Sequence, residues 1–228
     1  MIFRSEHEKS FLPKIFIAIA ILGSICISAY LMFFEASEMI VWLQPYKIKG
    51  NFTRNILILS GFVIYFMRLL ITMFVFFQRK MYWIEAVIIA NIMPWIFPCI
   101  AFASGRTSQP TGGIEVFGIL LFLTGSYLNT GSEYLRHVWK QRNENVGRIY
   151  TEGLFKYARH INYFGDIVLF TGMAAVAHKP GLLAIPASMG LIFIFIIIPL
   201  KENYLKVKYG KEFDEYAANT KKLIHKIY

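Results

Sequence analysis

The chain has 228 residues, 56% of them hydrophobic and only 17% charged, with a net charge of +10 and a mean hydropathy of +0.49. A soluble domain carries roughly a quarter charged residues, so this composition excludes an ordinary soluble globule and points to a single all-α integral membrane domain. The basic balance does not imply nucleic acid: Lys and Arg gather mainly in short loops and at the C-terminal end, the distribution that bilayer topology favours.

About six transmembrane helices are expected, each near the roughly 20 apolar residues that a span needs. Helix one runs Phe11 to Phe34, with Glu35-Ala36-Ser37-Glu38 open as a continuation towards Leu43. It is too long for a signal-peptide core and has no small-residue cleavage site after it, so it is read as retained. A loop with Pro45 and Gly50 leads to helix two, Arg54 to Phe77. Helix three spans Tyr82 to Ala103 and is kinked by Pro94 and Pro98, which neighbouring helices can accommodate. After a Gly/Ser/Thr/Pro-rich loop, helix four starts near Ile114 and continues to Lys140. A polar connector, Gln141 to His160, precedes a hairpin of helices five (Asn162 to Ala177) and six (Leu182 to Lys206), and a basic, mildly amphipathic tail follows.

With six spans both termini share one side. That side holds eighteen Lys and Arg against five on the other, which sets both termini in the cytoplasm. Cys26 and Cys99 lie in apolar runs and read as small buried hydrophobes. No metal site is expected from the Cys and His spacing.

Three constellations are candidates to carry chemistry. On helix four, Asn129, Glu133, Arg136 and Lys140 are spaced 4, 3 and 4, one stripe of an α-helix. An amide, a carboxylate and two cations on one face suit a polar, phosphorylated cofactor; a helix leaving the membrane would present the same stripe to water and headgroups. The second is the run Gly153 to Asp166, where Asn162 and Asp166 share a face at the start of helix five beside Arg159 and His160. Arg148, Arg159 and His160 near a helix N-terminus would make an anion site, and an acid inside the apolar boundary is usually functional; a capped helix start with a basic rim is the alternative. The third is on helix two, where Tyr65, Arg68, Thr72 and Arg79 form a stripe. Arg68 lies about half-way along the span and should face a partner inside the bundle, with Glu35 or Asp166 as candidates, whether for substrate or as a structural ion pair.

The stretch GLFKYARHINYFGD, Gly153 to Asp166, resembles the C-terminal domain of the steroid 5α-reductase family, in a superfamily with sterol reductases and the isoprenylcysteine and phospholipid methyltransferases. It is similar to the pattern Gly-Leu-Trp/Phe-x-Tyr-x-Arg-His-Pro-Asn-Tyr-Phe/Leu-Gly-Asp/Glu, with Ile161 where the pattern has proline. NTGSEYLRHVWK upstream and ENYLKVKYGKEFDEYAANT downstream extend the resemblance over about Asn129 to Thr220. For a reductase the resemblance implies NADPH held by Asn129, Glu133, Lys140, Arg148, Asn162 and Asp166, joined by Arg136, Arg159 and His160 from the two constellations.

YFMR on helix two also resembles a reductase Tyr-Phe-x-Arg, which maps the proton donor onto Tyr65. Hydride would reach the β-carbon of an enone while Tyr65 hydrogen-bonds the oxygen where enolate charge develops. The family's acid before that tyrosine maps onto Glu35, which by these spans differs from Tyr65 in depth by roughly 15 Å at ~1.5 Å per residue. The cations that animal reductases carry on the last helix are absent, Ile196 to Leu200 being apolar.

Residues 1–113 would then be substrate-side helices and 114–228 the cofactor-binding half. The expected activity is NADPH-dependent reduction of a lipid enone, a 3-oxo-Δ4 steroid or isoprenoid-like molecule. An S-adenosylmethionine-dependent methyltransferase of a lipid or prenylated substrate is the second reading, and a non-catalytic membrane protein on the same scaffold is the third.

Overall fold

The computed structural model describes residues 10–34 and 50–224. Among these the architecture is all-helical. Five helices are long and apolar enough to cross a membrane: α1 (Phe11–Phe33), α2 (Phe52–Phe76), α3 (Trp83–Ser104), α4 (Gly113–Lys140) and α6 (Pro180–Tyr209). The shorter apolar helix α5 is Ile161–Val176, and α7, Lys211–Asn219, follows α6 across Gly210. Only between 11% and 33% of the most apolar stretch of each long helix is buried in the protein. Leu12, Ile19, Ile84, Trp95 and Phe195 are more than 60% exposed. A water-soluble protein would not present so continuous an apolar exterior, so the chain is an integral, multi-pass membrane protein. Cys26 and Cys99 correct one expectation: both are exposed on that apolar exterior, because apolar runs here face outward as much as inward.

The chain divides into two compact units. One contains residues up to Leu120 with Thr171–Leu183, and the other Leu121–Phe170 with Ala184–Tyr228.

In the first unit α1, α2 and α3 pack on one another. Phe62 stacks on Phe97 at 4.5 Å between centroids, and Ile17, Ile21, Ile58 and Ile100 of the same helices are fully buried. The kinked α3 shows how a membrane helix accommodates proline. Pro98 has no N–H to offer the carbonyl four residues back, and the freed oxygen of Pro94 instead accepts the Ser24 hydroxyl from α1. Asn55 on α2 donates to Met32 O at 3.1 Å and accepts from Ser104 Oγ at 3.0 Å, so one buried amide ties α1, α2 and α3. Asn51 caps α2 by accepting from Arg54 N.

Arg54 is a buried knot rather than the loop-side cation its position at a helix start suggests. It is 0% exposed. Its Nε donates to Val176 O at 3.1 Å. Nη1 donates to Thr107 O and Gln109 O, both at 2.9 Å. Nη2 donates to Glu115 Oε1 at 2.7 Å and reaches Pro110 O at 3.4 Å. The five donors of a guanidinium thereby gather a loop, the start of α4 and the end of α5. His178, at a positive φ of 56°, puts Nδ1 2.8 Å from the same Glu115 oxygen, and Glu115 Oε2 accepts Gly112 N at 2.6 Å.

Removing one member of a buried ion pair strands the other and costs about 3–5 kcal/mol. Glu115→Ala and Arg54→Ala should each lower the melting temperature of the detergent-purified protein sharply, whereas Arg142→Ala, whose 63%-exposed side chain approaches Glu144 only at 4.0 Å, should leave it nearly unchanged. Thermal unfolding of the three variants side by side checks this.

Candidate functional site

The second unit holds the candidate cofactor residues, and its geometry starts from two glycines. A Cβ on Gly165 would lie 2.6 Å from Asn129 N and 2.7 Å from Gly125 O, and one on Gly125 would lie 2.4 Å from Gly165 O and from Leu169 N. Helices α4 and α5 therefore meet backbone to backbone, as small residues allow in membrane bundles. That approach brings two sequence-predicted residues together: Asn129 Nδ2 donates to Asn162 O at 3.1 Å.

Around that bond the site fills in. Asn162 Nδ2 donates to Glu133 Oε1 at 2.9 Å, and Arg136 pairs with the other Glu133 oxygen. Glu133 is buried, so its charge needs these donors. Arg136 also lies over the Phe155 ring, 5.4 Å from its centroid. Asn129 sits in a π-helical turn, Tyr127–Gly131, and its carbonyl takes the Ser132 hydroxyl at 2.8 Å. Such wide turns insert a residue into the helix and often occur at functional sites. Asp166, one turn into α5, is partly exposed.

The stripe of α4 does not stay together to its end. Lys140 Nζ turns to the Arg148 carbonyl and to Tyr209 Oη at 3.1 Å. Arg148 is 65% exposed and lies 3.7 Å from Glu212 of α7, a loose pair in solvent. Within the first unit, Tyr65 is buried, edge-on to Phe97 at 5.4 Å, and Arg68 lies over its ring at 5.9 Å. Glu35 lies outside the described residues.

The signature segment is held by local geometry. Gly153 has φ +57°, and a Cβ there would meet Tyr150 Oη at 2.7 Å, so both conformation and space require glycine. Burial raises the Tyr150 phenol above its usual value, with the charge of Glu152 adding to it. Ile161, in place of the pattern's proline, is the first residue of α5, a position where proline's missing N–H matters little. Its N–H donates to Ala158 O at 3.3 Å, so the exchange leaves the helix start intact.

Arg159 and His160 turn away from the amide–acid cluster. Arg159 reaches Glu202 of α6 through Nε at 2.7 Å and Nη2 at 2.6 Å, and through Nη1 the carbonyls of Ala217 and Thr220. His160 is buried and its ring stacks on Tyr163 at 5.4 Å. Its Nε2 lies 3.5 Å from Glu202 Oε1, a contact too long to count as a well-formed hydrogen bond. Burial pushes its pKa below the usual imidazole value, partly opposed by Glu202. Sequence reasoning passed over Glu202, although it is the only acid between Ile198 and Lys211 and stands among lysines.

The family described as "Protein of unknown function (DUF1295)" matches residues 68–220. The chain belongs to that family. This steroid 5α-reductase-like family match takes in every candidate from Asn129 to Asp166 and begins just after Tyr65. Among characterised proteins, the chain is similar to 3-oxo-5-alpha-steroid 4-dehydrogenase 2 of Rattus norvegicus, 29% identical over 108 residues that cover 47% of this chain and 41% of the relative. The Homo sapiens protein of the same name is 28% identical over 107 residues, 47% of this chain and 40% of the relative. Protein-S-isoprenylcysteine O-methyltransferase B of Arabidopsis thaliana is 28% identical over 109 residues, 46% of this chain and 55% of the relative. The matched region thus spans about half the length of these curated relatives.

The glycine contact yields a sharp expectation. Gly165→Ala must push α4 and α5 apart, with a stability loss of about 1–3 kcal/mol from overpacking. Gly190→Ala would add only an ordinary contact, 3.5 Å from Ile167 Cδ1, and should be tolerated. Melting temperatures of the two variants in detergent check the difference.

Proposed function

We propose that the protein is a membrane-embedded, NADPH-dependent reductase of a lipid enone, a 3-oxo-Δ4 steroid or isoprenoid-like molecule. The observation that carries the reading is the amide–acid cluster of Asn129, Asn162 and Glu133 at the α4–α5 contact. Two amides suit a carboxamide, and Glu133 with Asp166 suits ribose hydroxyls. Arg136, Lys140 and Arg148 supply cations at the same end for phosphates. Those types fit the polar body of a dinucleotide, and the similarity to the 3-oxo-5-alpha-steroid 4-dehydrogenases supports the same choice.

Bound NADPH would supply the hydride that goes to the enone β-carbon. The protein's own residues then have three tasks. Asn129, Asn162, Glu133 and Asp166 orient the cofactor, and the cations hold its phosphates. Tyr65 donates a hydrogen bond to the carbonyl oxygen, where enolate charge develops as hydride arrives. The enolate then takes a proton from water at the α-carbon, which completes the saturated ketone. Arg68, over the Tyr65 ring, keeps positive charge beside that phenol, and Glu35 is the acid that the resemblance sets as its partner.

In this reading residues 1–113 form the substrate side, open to a lipophilic molecule dissolved in the bilayer, and 114–228 form the cofactor half. The Lys and Arg bias favours a cofactor site facing the cytoplasm with both termini on that side. A second reading, methyl transfer from S-adenosylmethionine to a lipid or prenylated acceptor, is favoured by the similarity to the isoprenylcysteine methyltransferase; it uses the same polar cluster and gives Tyr65 no role.

Tyr65→Phe separates them. Loss of an oxyanion donor lowers turnover by roughly a hundredfold to a thousandfold, while NADPH affinity should stay unchanged because Tyr65 acts on the substrate. Enone reduction and NADPH binding by the purified variant, measured together, check this; equal loss of both would remove Tyr65 from the chemistry.

A further inference from the structure

The tail that follows α6 is a docked strap. Tyr216 is buried and donates to Phe155 O at 2.6 Å. Burial raises its phenol well above the ordinary value, against the opposing charges of Arg159 and Arg136. Phe213 packs with Ile149 and Tyr216, and Glu212 accepts Ile149 N at 3.3 Å. Further on, Arg159 N donates to Lys221 O at 2.9 Å and His160 N to Lys222 O at 2.8 Å. Leu223 is 2% exposed. The strap thus lies along the whole connector from Ile149 to His160, the segment that leads into α5 and Asn162.

One charged group locks this arrangement. Glu202 stands where α6, the connector and the strap converge. Its Oε1 receives both Arg159 nitrogens, and its Oε2 lies 3.8 Å from Lys222 Nζ on the strap itself. Arg159 Nη1 meanwhile holds two strap carbonyls. Arg159 is 8% exposed, so its charge has little water to fall back on. A planar fork that grips a carboxylate with two nitrogens and two carbonyls with a third is a task lysine cannot perform.

We propose that Glu202 and Arg159 are positioning residues for the cofactor site: through their ion pair they fasten the C-terminal strap to the connector, and the fastened strap fixes the start of α5, from which Asn162 reaches Glu133. The proposal rests on the reading of Asn129, Asn162 and Glu133 as cofactor-binding. It gives Arg159 and His160, which the sequence set beside the phosphates, an indirect part. Of the two, Arg159 holds the strap, and His160 fills the space between Glu202 and the Tyr163 ring, which in turn stacks on Phe193 at 4.8 Å.

The test uses the full chain in detergent and three forms beside wild type: Glu202→Gln, Arg159→Lys, and the exchanged pair Arg159→Glu with Glu202→Arg. Two readouts are taken. Limited trypsin cleavage after Lys211, followed by intact mass, reports whether the strap is docked without reference to any cofactor. Equilibrium binding of NADPH, and separately of S-adenosylmethionine, reports the site. Partners that orient a binding group change affinity by about tenfold or more when removed. The expected result is faster strap cleavage and about tenfold weaker binding in both single variants, with binding at least partly restored in the exchanged pair. Strap release with unchanged cofactor affinity would overturn the proposal, as would unchanged cleavage in Glu202→Gln. Poor expression of the exchanged pair would leave the two single variants to decide it. If wild type binds neither cofactor, the reading of the site itself fails, an outcome distinct from normal wild-type binding that the variants leave untouched.

Discussion

Helices α4 and α5 touch through glycine backbones, and the candidate chemistry of the second unit depends on that contact. At Gly125 and Gly165 no side chain of any size fits. Because hydrophobic pressure between helices is weak in lipid, close packing and polar bonds must hold such a pair. The bonds are those of the site: Asn129 to the Asn162 carbonyl and the Asn162 amide to Glu133. Packing and the candidate site are therefore one structure here. The cluster that would orient a dinucleotide is also what closes the helix pair, and the buried charge of Glu133 is compensated by the groups it serves.

The two units treat buried charge differently. In the first, Arg54 has every donor occupied by carbonyls and one carboxylate, a saturated knot with no capacity left for a ligand. In the second, Glu133 pairs with Arg136 and accepts a hydrogen bond from the Asn162 amide, and Lys140 and Arg148 hold partners that are partly in water. Saturation marks the first as architecture. The second keeps looser, solvent-facing pairs at Lys140 and Arg148, which is where the proposed reading puts the cofactor phosphates.

Much of this could be read from the chain before folding. The bilayer demands long apolar runs, so the spans were legible to within a few residues, and the two prolines of α3 marked a kink that its neighbours accommodate. The stripe on helix four pointed to Asn129 and Glu133, and the signature from Gly153 to Asp166 pointed to Asn162. Long-range pairing was not legible. Arg54 looked like a loop cation because its partners, Val176 O and Glu115, are far away in sequence. The stripe of α4 assumed a uniform helix, but the π turn at Asn129 changes its phase, and Lys140 leaves the cluster for Tyr209. The tail read only as basic and mildly amphipathic, since nothing local reveals that Arg159 would take its carbonyls. Cys26 and Cys99 misled for a simpler reason: in lipid an apolar run need not be buried by protein.

The central claim is that the Asn129–Asn162–Glu133 cluster binds NADPH, and thermal unfolding of detergent-purified protein with each cofactor tests it most directly. A ligand that binds only the folded state stabilises it by about 2.7 kcal/mol at a hundred times its Kd. The account predicts a raised melting temperature with NADPH, none with S-adenosylmethionine, and loss of the NADPH effect in Asn162→Ala. Stabilisation by S-adenosylmethionine alone, or an NADPH effect that survives in Asn162→Ala, would contradict it.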